Sequence, residues 1–435
     1  MQGKETSGKE PTIRLMRILV LILATFLSAA PTALAEGWKP TLSSHDFGPD
    51  RVVAVDKSTQ TLMLLERKSP LREILRFPCT TGQVVGDKMV EGDLRTPEGV
   101  YFVGHRINRS LDWGLYGDIA YSLNYPNPID RIKGKTGFGI WIHGRGKEFV
   151  PRDTRGCVAL RTPDMQDVAR EFELGTPVVI ASDLDWTADM GEHGAEAAAL
   201  VDALHGWAED WQRRDEAFFD RYDAELMSLS MGRSFDGFVA NKRNIFAAKP
   251  WIHVMVDNVQ AVPGPDYWVT SFDQYYRTPG RTTSTGKRFY WMRSEDGAWR
   301  IVGREYVPAR GGLEEKYIEA KTIEAEAFVE SWRKAWLAMD AEGYRDMYAA
   351  DAVQGKRRGA AAFTEFKKTL WAKSAPVTVS VDELTVRLHP RGLQVAFKQT
   401  FEDSSGYGDV GRKTMILSPK GESWTISSEQ WRRGG

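Results

Sequence analysis

The segment from His143 to Cys157 contains the two side chains best suited to chemistry in this sequence. A cysteine thiol becomes a nucleophile when a base takes its proton, and a histidine imidazole can be that base near neutral pH. Cys157 ends the run Thr154-Arg155-Gly156-Cys157. Gly156 has no Cβ atom, so it permits a tight turn in which backbone N–H groups near Cys157 face a developing oxyanion. The pattern indicates a cysteine nucleophile with His143 as its base, if the intervening loop folds back.

A second interpretation treats Cys157 as a buried apolar residue and His143 as a structural residue. A lone cysteine and a lone histidine favour this interpretation, whereas the wider pattern described below favours catalysis. A disulfide with Cys79, the other cysteine of the chain, would block the nucleophile, so both cysteines are expected to be reduced. Cys79 is expected to be a small buried residue of a strand.

Basic residues are concentrated around this pair. Between His143 and Arg161 the sequence has five basic residues and two acidic residues, Glu148 and Asp153. The basic residues are Arg145, Lys147, Arg152, Arg155 and Arg161. Arginine forks suit the carboxylates of a peptide substrate, and a solvated charged loop is the alternative for any single residue. Arg155 is the first candidate for binding a carboxylate, because its place in the run Thr154-Arg155-Gly156-Cys157 fixes its position beside Cys157.

Neither a metal nor another cofactor is expected. The seven histidines are scattered, and the sequence has no His-Glu-x-x-His or comparable pair. A zinc site needs three or four converging ligands. The 58 Lys plus Arg nearly balance the 59 Asp plus Glu, which gives no sign of a nucleic-acid partner.

Residues from about 51 to 182 have the pattern of a β-rich domain that would position these side chains. Short runs of strand-forming residues alternate with Gly- and Pro-rich connections, and the expected strands cover 52–55, 62–65, 73–78, 99–105, 139–143 and 177–181. A helix is expected over 162–172, with Thr162 as its N-cap and Pro163 in its first turn. His143 therefore ends a strand, and Cys157 comes shortly before a helix.

This segment resembles the catalytic domain of the L,D-transpeptidase (YkuD) family. The family motif is a His-Gly pair, a spacer and Ser/Thr-x-Gly-Cys, and this chain has His143-Gly144 and Thr154-Arg155-Gly156-Cys157. An upstream hallmark also matches, and it consists of Thr81-Gly82, Gly86-Asp87-Lys88, Glu91-Gly92-Asp93 and Arg95-Thr96-Pro97-Glu98-Gly99-Val100-Tyr101.

The resemblance implies that Cys157 attacks the carbonyl between diaminopimelate and a terminal D-Ala of a peptidoglycan stem peptide, which gives a thioester. It implies that His143 is the general base and that the amides of Gly156 and Cys157 form part of the oxyanion hole. The residues implied in substrate binding are Gly144, Thr154, Arg155 and Arg161.

Two positions depart from the common family form. Arg155 stands where histidine is usual, and Ala159 stands where arginine is usual. Arg161 is expected to compensate for Ala159. These departures leave open which end of the substrate is held.

The C-terminal half contains an internal repeat with an offset of 125 residues. Trp207 and Trp211 recur as Trp332 and Trp336. The other matched pairs are Asp215 with Asp340, Phe272 with Phe397, Gln274 with Gln399, Tyr276 with Phe401, Trp299 with Trp424, Ile301 with Ile426 and Tyr306 with Trp431. Each copy resembles the NTF2-like fold, in which a long helix is followed by a curved sheet that forms a cone.

In the first copy, one long helix is expected over 192–226, with an aromatic face formed by Trp207, Trp211, Phe218 and Tyr222. The candidates to line a pocket in this copy are His253, Asp257, Tyr267, Tyr275 and Trp291. An aromatic stripe in a small curved sheet is more often part of the core, and this second interpretation is the favoured one. A binding or positioning role, without chemistry, is predicted for both copies.

The first 35 residues differ in composition from the rest. Arg14 and Arg17 precede an apolar run over 18–27, and Ala33-Leu34-Ala35 follows, which is typical of a secretory signal peptide. An uncleaved membrane anchor is the alternative, although the run is shorter than the roughly 20 residues of a spanning helix. The expected segments are a signal peptide (1–35), a linker (36–50), the catalytic domain (51–185) and two NTF2-like repeats (192–310 and 313–432).

The sequence thus predicts a β-rich L,D-transpeptidase-like catalytic domain followed by two α+β cone-shaped NTF2-like domains. This architecture resembles that of cell-shape L,D-carboxypeptidases, which implies a periplasmic enzyme that acts on peptidoglycan stem peptides. Attack on the thioester by an amine would cross-link stems, and attack by water would trim a tetrapeptide to a tripeptide. Release of a lipoprotein tether from diaminopimelate is a further outcome.

A non-catalytic wall-binding adaptor is the hypothesis from a different functional class. In either case, the C-terminal domains are candidates for binding a periplasmic protein or for dimerisation.

Overall fold

A computed structural model describes residues 37–434 apart from residues 69, 149 and 192. The expected signal peptide over 1–35 lies outside the described residues. Within the described part of the chain, no helix combines the length and the apolar character needed to cross a membrane.

Among the described residues, the N-terminal domain contains ten strands and three helices. They are β1 (Thr41–Ser44), β2 (Arg51–Asp56), β3 (Thr61–Glu66), β4 (Arg72–Pro78), β5 (Gly99–Arg106), α1 (Trp113–Tyr116), β6 (Ala120–Leu123), α2 (Pro128–Ile132), β7 (Trp141–Arg145), β8 (Val158–Arg161), α3 (Thr162–Glu171), β9 (Pro177–Ala181) and β10 (Asp185–Met190). Eight of the strands form one mixed sheet in the order β4-β3-β2-β9-β5-β6-β7-β8.

Strand β2 shows how this sheet is held between two apolar layers. Successive side chains of a strand point to opposite faces, so Val53 and Ala54 belong to different cores. The core around Val53 includes Met165 of α3. The core around Ala54 includes Tyr267 and Tyr290 of the following domain. Because burial contributes about 25 cal/mol per Å² of apolar surface, the second core stabilises the contact between the two domains.

Two details of this domain differ from the sequence expectations. The segment expected to be a linker contains β1, which pairs in parallel with β10 and buries Leu42. Thr162, expected to be an N-cap, is the first residue of α3, and Arg161 takes the cap position without a side-chain hydrogen bond. The reason is that β8 runs through Arg161 directly into the helix.

Two α+β domains follow. The elements of the first are α4 (His193–Arg213), α5 (Ala217–Asp220), α6 (Ala224–Met231), α7 (Asp236–Ala248), β11 (His253–Pro263), β12 (Trp268–Thr278), β13 (Arg281–Arg293) and β14 (Trp299–Val307). The elements of the second are α8 (Leu313–Leu337), α9 (Ala341–Asp346), β15 (Tyr348–Gln354), β16 (Arg357–Arg358), α10 (Ala360–Trp371), β17 (Pro376–His389), β18 (Gly392–Asp403), β19 (Gly408–Lys420) and β20 (Ser423–Arg433).

Each of these domains is built on its own sheet. The first sheet is antiparallel and has the order β11-β12-β13-β14. The second has the order β16-β15-β20-β19-β18-β17 and is antiparallel except that β15 pairs with β20 in parallel. The expected fold class, a β-rich domain followed by two α+β domains, is confirmed.

The single helix expected over 192–226 is wrong in its extent. Helix α4 ends at Arg213, because Arg214 has a positive φ of 60° that does not continue a right-handed helix. Phe218 therefore belongs to α5, and Tyr222 lies beyond that helix. Both still share one apolar core with Trp207 and Trp211, so the aromatic pattern reflects a common core and not one helical face.

Most of the pocket candidates of the first copy instead contact a neighbouring domain. His253 Nδ1 lies 2.5 Å from the hydroxyl of Tyr317, and the Tyr275 hydroxyl donates to Glu314 over 3.1 Å. Asp257 pairs with Lys316. Trp291 is part of the apolar core of the first copy. The contacts of His253, Tyr275 and Asp257 hold the N-terminal part of α8 against the first copy.

Tyr267, the fifth residue of that set, joins the first copy to the N-terminal domain. Its hydroxyl accepts a hydrogen bond of 2.8 Å from the backbone N–H of Val100. A Cβ atom built on Gly99, where φ is +143°, would lie 2.7 Å from the same hydroxyl oxygen. Glycine is therefore required at position 99 for the two domains to approach this closely.

Candidate active site

Strands β7 and β8 bring His143 and Cys157 to neighbouring positions. The strands pair in parallel, with His143 opposite Ala159 and Ile142 opposite Val158. Cys157 immediately precedes β8 and lies two residues before Ala159, which places it on the side of the sheet that His143 occupies. The spacings of a sheet separate the two Cα atoms by roughly 8 Å, a distance that two converging side chains can span.

Thr154 fixes the turn that presents Cys157. Its hydroxyl accepts a hydrogen bond of 3.1 Å from the Gly156 N–H and donates one of 2.7 Å to the carbonyl oxygen of Cys157. The backbone N–H of Thr154 donates to the carbonyl oxygen of Thr81 over 3.0 Å. Thr154 therefore lies at the predicted site, and in this structure its contacts hold the loop.

Gly156 is required by the backbone of this turn. Its φ is +124°, and an added Cβ atom would lie 2.8 Å from the carbonyl oxygen of Arg95. The expected contribution of its N–H to an oxyanion hole does not fit this conformation, because that N–H already donates to the Thr154 hydroxyl. Of the two expected donors, the Cys157 amide remains the candidate.

His143 is buried and held in one tautomer. Its Nδ1 lies 2.6 Å from the carbonyl oxygen of Gly144. Because a carbonyl oxygen only accepts hydrogen bonds, Nδ1 carries the proton, and in the neutral ring the lone pair is on Nε2. Burial lowers the pKa of His143 to about 4; the Gly144 hydrogen bond opposes this shift, and the charge of Arg145 adds to it.

The Cys157 thiol is surrounded by protein atoms, although the residue is partly exposed. Burial raises its pKa to about 11, while a hydrogen bond from the Trp141 backbone and the charge of Lys88 both act to lower it. The sulfur also lies 3.6 Å from the carbonyl oxygen of Gly139, to which the thiol donates. At neutral pH the pair therefore rests as a neutral thiol and a neutral imidazole, and the proton must move as the sulfur attacks.

The remaining predicted substrate-binding residues are spread around this centre. Arg155 is exposed and makes no hydrogen bond or ion pair with the described residues. Arg161 is at the end of β8 away from Cys157, and its guanidinium pairs with Asp164 over 2.7 Å. Gly144 orients His143 through its carbonyl oxygen. The structure thus leaves Arg155 available to a ligand and engages Arg161 in the first turn of α3.

The loop over 80–98 forms one wall of the site, and sequence reasoning did not assign it any site residue. Three buried lysines brace it: Lys57 pairs with Glu98 (2.9 Å), Lys88 pairs with Asp93 (2.9 Å), and Lys135 pairs with Asp87 (2.7 Å) and Asp130 (3.0 Å). Two segments that match the family hallmark, Gly86-Asp87-Lys88 and Glu91-Gly92-Asp93, contain residues of these ion pairs. The sequence did not link Lys57 and Lys135 to the loop, because they lie far from it along the chain.

The rim of this wall is apolar and exposed. Val85 is 63% exposed and Phe138 is 78% exposed. The two lie on adjoining segments, since the N–H of Thr136 donates to the carbonyl oxygen of Met89 over 3.0 Å. Each of the two adjoining segments therefore carries an exposed apolar side chain.

One cavity of the described chain lies away from His143 and Cys157. It measures about 460 Å³ and lies between the N-terminal domain and the first NTF2-like copy, where charges of both signs line it, including Arg51, Glu171 and Asp273. Arg51 already pairs with Glu171 over 2.9 Å. This cavity therefore carries little net charge and does not report the chemistry of Cys157.

A second cavity, of about 210 Å³, opens inside the cone of the first copy. Its aromatic wall includes Trp207 and Trp211. Four cationic residues also line it, with no acidic residue among the described lining residues, and they are Lys242, Arg281, Lys287 and Arg304.

The charge of this cavity is poorly compensated. Burial lowers the pKa of Lys242 to about 7, and the charges of Arg304 and Arg281 add to the decrease. Burial, followed by the charges of Lys242 and Arg304, also holds the pKa of Lys287 well below its usual range. An anion entering the cavity would relieve this repulsion.

The cone of the second copy is arranged differently. Glu429 is fully buried and its carboxylate accepts from Lys413 over 2.5 Å, from Gln354 over 3.0 Å and from the Tyr348 hydroxyl. Burial alone would raise the pKa of Glu429, but the charge and hydrogen bond of Lys413, the Tyr348 hydrogen bond and the charge of Lys367 together lower it. The second cone thus contains its own counterion.

Among the described residues, no group of three or more His, Cys, Asp or Glu side chains is arranged to hold a metal ion. Cys79 and Cys157 are both unpaired, and Cys79 is buried directly after β4.

Comparisons with known proteins agree with this architecture. Residues 50–180 match the L,D-transpeptidase (YkuD) catalytic domain, and residues 199–305 and 324–430 each match the Cds6 C-terminal NTF2-like domain. No curated protein matches the sequence.

Two solved structures resemble a large part of the chain. Bd1075 of Bdellovibrio bacteriovorus is 27% identical with a TM-score of 0.51, over 62% of this chain and 97% of Bd1075. The helical cell shape determining protein Pgp2 of Campylobacter jejuni is 25% identical with a TM-score of 0.50, over 61% of this chain and 94% of Pgp2. The chain therefore contains a region that matches the L,D-transpeptidase (YkuD) catalytic domain, followed by two regions that match an NTF2-like domain.

Proposed function

We propose that this chain is an exported enzyme that remodels peptidoglycan stem peptides, with Cys157 as its nucleophile and His143 as its general base. The observation that carries the proposal is the placement of Cys157 on a glycine turn beside a buried histidine with Nε2 as its free nitrogen. It lies within a domain of the L,D-transpeptidase family. Export rests on the composition of residues 1–35.

In the first step, Cys157 Sγ attacks the carbonyl carbon between diaminopimelate and the terminal D-Ala while His143 Nε2 takes the thiol proton. The carbonyl oxygen becomes an oxyanion that the Cys157 amide can stabilise. Collapse of this intermediate breaks the C–N bond, and the imidazolium returns its proton to the amine of the departing D-Ala. A thioester remains on Cys157.

In the second step, an acceptor attacks the thioester and His143 takes the acceptor's proton. The C–S bond breaks, and the proton passes to the sulfur. An amine acceptor gives a cross-linked stem, and water gives a tripeptide. Arg155 is suited to hold a stem carboxylate during both steps, because it is exposed and has no partner among the described residues.

Trimming by water, an L,D-carboxypeptidase activity in the periplasm, is the second candidate. It is supported by the likeness of the chain to the helical cell shape determining protein Pgp2 across more than one domain. The sequence pattern resembles cell-shape L,D-carboxypeptidases for the same reason, the presence of an NTF2-like domain after the catalytic domain.

We infer further that the first cone holds an anionic group of the substrate, such as a stem carboxylate. Its four cations and aromatic wall favour a small organic anion over a neutral ligand. Calorimetric titration of the Cys157→Ala chain with disaccharide-tripeptide measures this binding without turnover. An absence of saturable binding would contradict the inference.

The activity is tested by incubating the purified chain with disaccharide-tetrapeptide and disaccharide-pentapeptide and analysing the products by mass spectrometry. We expect wild-type protein to release D-Ala and the Cys157→Ala variant to lose at least roughly 10³-fold in rate, because the covalent step is removed. Accumulating tripeptide identifies a carboxypeptidase, and cross-linked dimers identify a transpeptidase.

The matched control is Cys79→Ala, which removes the other cysteine and should keep the activity if the fold is kept. Equal product formation by wild type and Cys157→Ala would contradict the enzymatic proposal. Unchanged cell shape and muropeptides in a Cys157→Ala strain would then favour the wall-binding adaptor.

A further inference from the structure

Lys88 is a buried cation beside Cys157 that the mechanism above does not use. Its side chain is 4% exposed, and its ammonium donates to Asp93 Oδ1 over 2.9 Å and to the carbonyl oxygen of Val90 over 3.0 Å. Lys57 and Lys135 brace the same loop, but of the three lysines Lys88 is the one whose charge acts on the Cys157 thiol. Lys57 and Lys135, which contact the loop from other parts of the chain, therefore serve as internal comparisons.

The carbon chain of Lys88 lies against the segment that contacts the thiol. A Cβ atom built on Gly137 would lie 3.3 Å from Lys88 Cε. Two residues further on, the carbonyl oxygen of Gly139 accepts the hydrogen bond from Cys157 Sγ at 3.6 Å. The neighbouring Thr136 is tied to the same loop through Met89 and Glu91. Lys88 and the sulfur thus flank one short stretch of backbone.

The carboxylate partner of Lys88 is shared among several donors. Asp93 accepts hydrogen bonds from the backbone N–H groups of Met89 (2.8 Å), Val90 (3.1 Å) and Arg95 (3.1 Å) in addition to the Lys88 ammonium. The charge of Lys88 acts to lower the pKa of the Cys157 thiol. Because the Asp93 carboxylate is shared with three backbone N–H groups, it offsets the field of the ammonium only in part.

We propose that Lys88 is a positioning residue of this site, whose buried ammonium stabilises the negative charge that forms on Cys157 Sγ as His143 Nε2 takes the thiol proton. No further reactant is required, because the proton passes from sulfur to imidazole and the charge stays on sulfur until it attacks. The proposal rests on the proposed function in taking Cys157 as the nucleophile. It assigns Lys88 no contact with substrate.

The test measures the rate at which iodoacetamide alkylates Cys157 between pH 7 and 9 in the full chain, read by mass spectrometry of the peptide that contains Cys157. Below the thiol pKa the rate follows the thiolate fraction. We expect Lys88→Met to react roughly tenfold more slowly, the effect of a one-unit rise in the thiol pKa. Lys88→Arg, which keeps the charge, should restore most of the rate.

The matched control is Lys135→Met, which removes another buried cation that pairs with a residue of the same loop. Its alkylation rate should stay near that of wild type. A wild-type rate in Lys88→Met would overturn the proposal, and so would an equal loss in Lys135→Met, because that would identify a general effect on loop structure.

A second variant decides the question if Lys88→Met does not fold. Asp93→Asn removes the carboxylate that faces the ammonium while keeping a side-chain oxygen for the backbone donors. We expect it to alkylate faster than wild type, and an unchanged or slower rate would overturn the proposal. Alkylation requires no peptidoglycan, so its result stands even if the chain does not react with stem peptides. An unchanged alkylation rate rejects the role of Lys88 and leaves the proposed enzymatic function untouched.

Discussion

The two NTF2-like cones share an aromatic and cationic interior. Lys242 lies 3.3 Å from the ring centre of Trp211 in the first cone, and Lys367 lies 3.1 Å from that of Trp336 in the second. These positions are related by the offset of 125 residues. Each cone therefore places one lysine on the face of its second tryptophan.

The first tryptophan of each pair is also held in the same way. Trp207 Nε1 donates to the Tyr222 hydroxyl over 2.8 Å, and Trp332 Nε1 donates to the Tyr348 hydroxyl over 3.0 Å. The two copies have kept the fold of the cone and its central hydrogen bond.

The two cones carry opposite charges at one matched position. Arg304 on β14 of the first corresponds to Glu429 on β20 of the second. In the second cone Glu429 neutralises Lys413. In the first cone the one hydrogen-bond acceptor of Lys287 among the described residues is the neutral oxygen of Gln274 (2.6 Å). A single residue on the last strand thus determines whether the cone contains its own anion or presents uncompensated cations to a ligand.

The strongest test of this contrast is Glu429→Gln. We expect it to destabilise the second copy by about 3 kcal/mol or more, because it leaves Lys413 buried without a counterion. Arg304→Gln should be neutral or stabilising in the first copy, since it removes one of four like charges. Hydrogen exchange read by mass spectrometry in increasing urea reports the opening of each copy separately, and equal effects of the two variants would contradict the contrast.

Arg304→Glu should convert the first cone to the arrangement of the second. We expect the affinity of the Cys157→Ala chain for disaccharide-tripeptide to fall by roughly tenfold or more, because the new carboxylate pairs with Lys287 and repels the ligand. Calorimetric titration measures the change. Arg300→Glu is the matched control, a charge reversal on the same strand at a residue that pairs with Asp296 and does not line the cavity. Unchanged affinity in Arg304→Glu would place the ligand elsewhere.

The smallest expected effect is a pH dependence of the first copy. The pKa of Lys242 falls from 10.5 to about 7 in the folded state, so between these values the unfolded chain binds more protons. Stability should therefore rise with pH across this window, by at most about 1.4 kcal/mol per pH unit for one proton. Lys242→Met should flatten the rise in the urea midpoint between pH 7 and 9, and an identical slope in the variant would show that Lys242 does not titrate there.

Much of the fold could be predicted because its signals are local. The alternation of apolar residues specified the strands around Val53, and the repeat at 125 residues specified two similar domains. The run from Thr154 to Cys157 identified a turn that requires glycine, since its backbone conformation excludes a Cβ atom at position 156. These features depend on a residue and its near neighbours in the chain.

Other features could not be predicted because they depend on partners distant in sequence. The hydrogen bond from the Gly156 N–H to the Thr154 hydroxyl could not be read from the sequence. The contacts of His253 and Tyr275, two pocket candidates, with α8 depend on how the two copies pack.

The sequence alone determined the candidate nucleophile and base, the glycine turn and the duplicated cones. Tertiary structure alone decided which charges are neutralised. Lys88 and Lys413 are ordinary cations in the sequence, and Asp93 and Glu429 become their partners only after folding. The physical reason is that burial makes an unpaired charge costly, and the geometry that pairs or isolates it exists only in the folded chain.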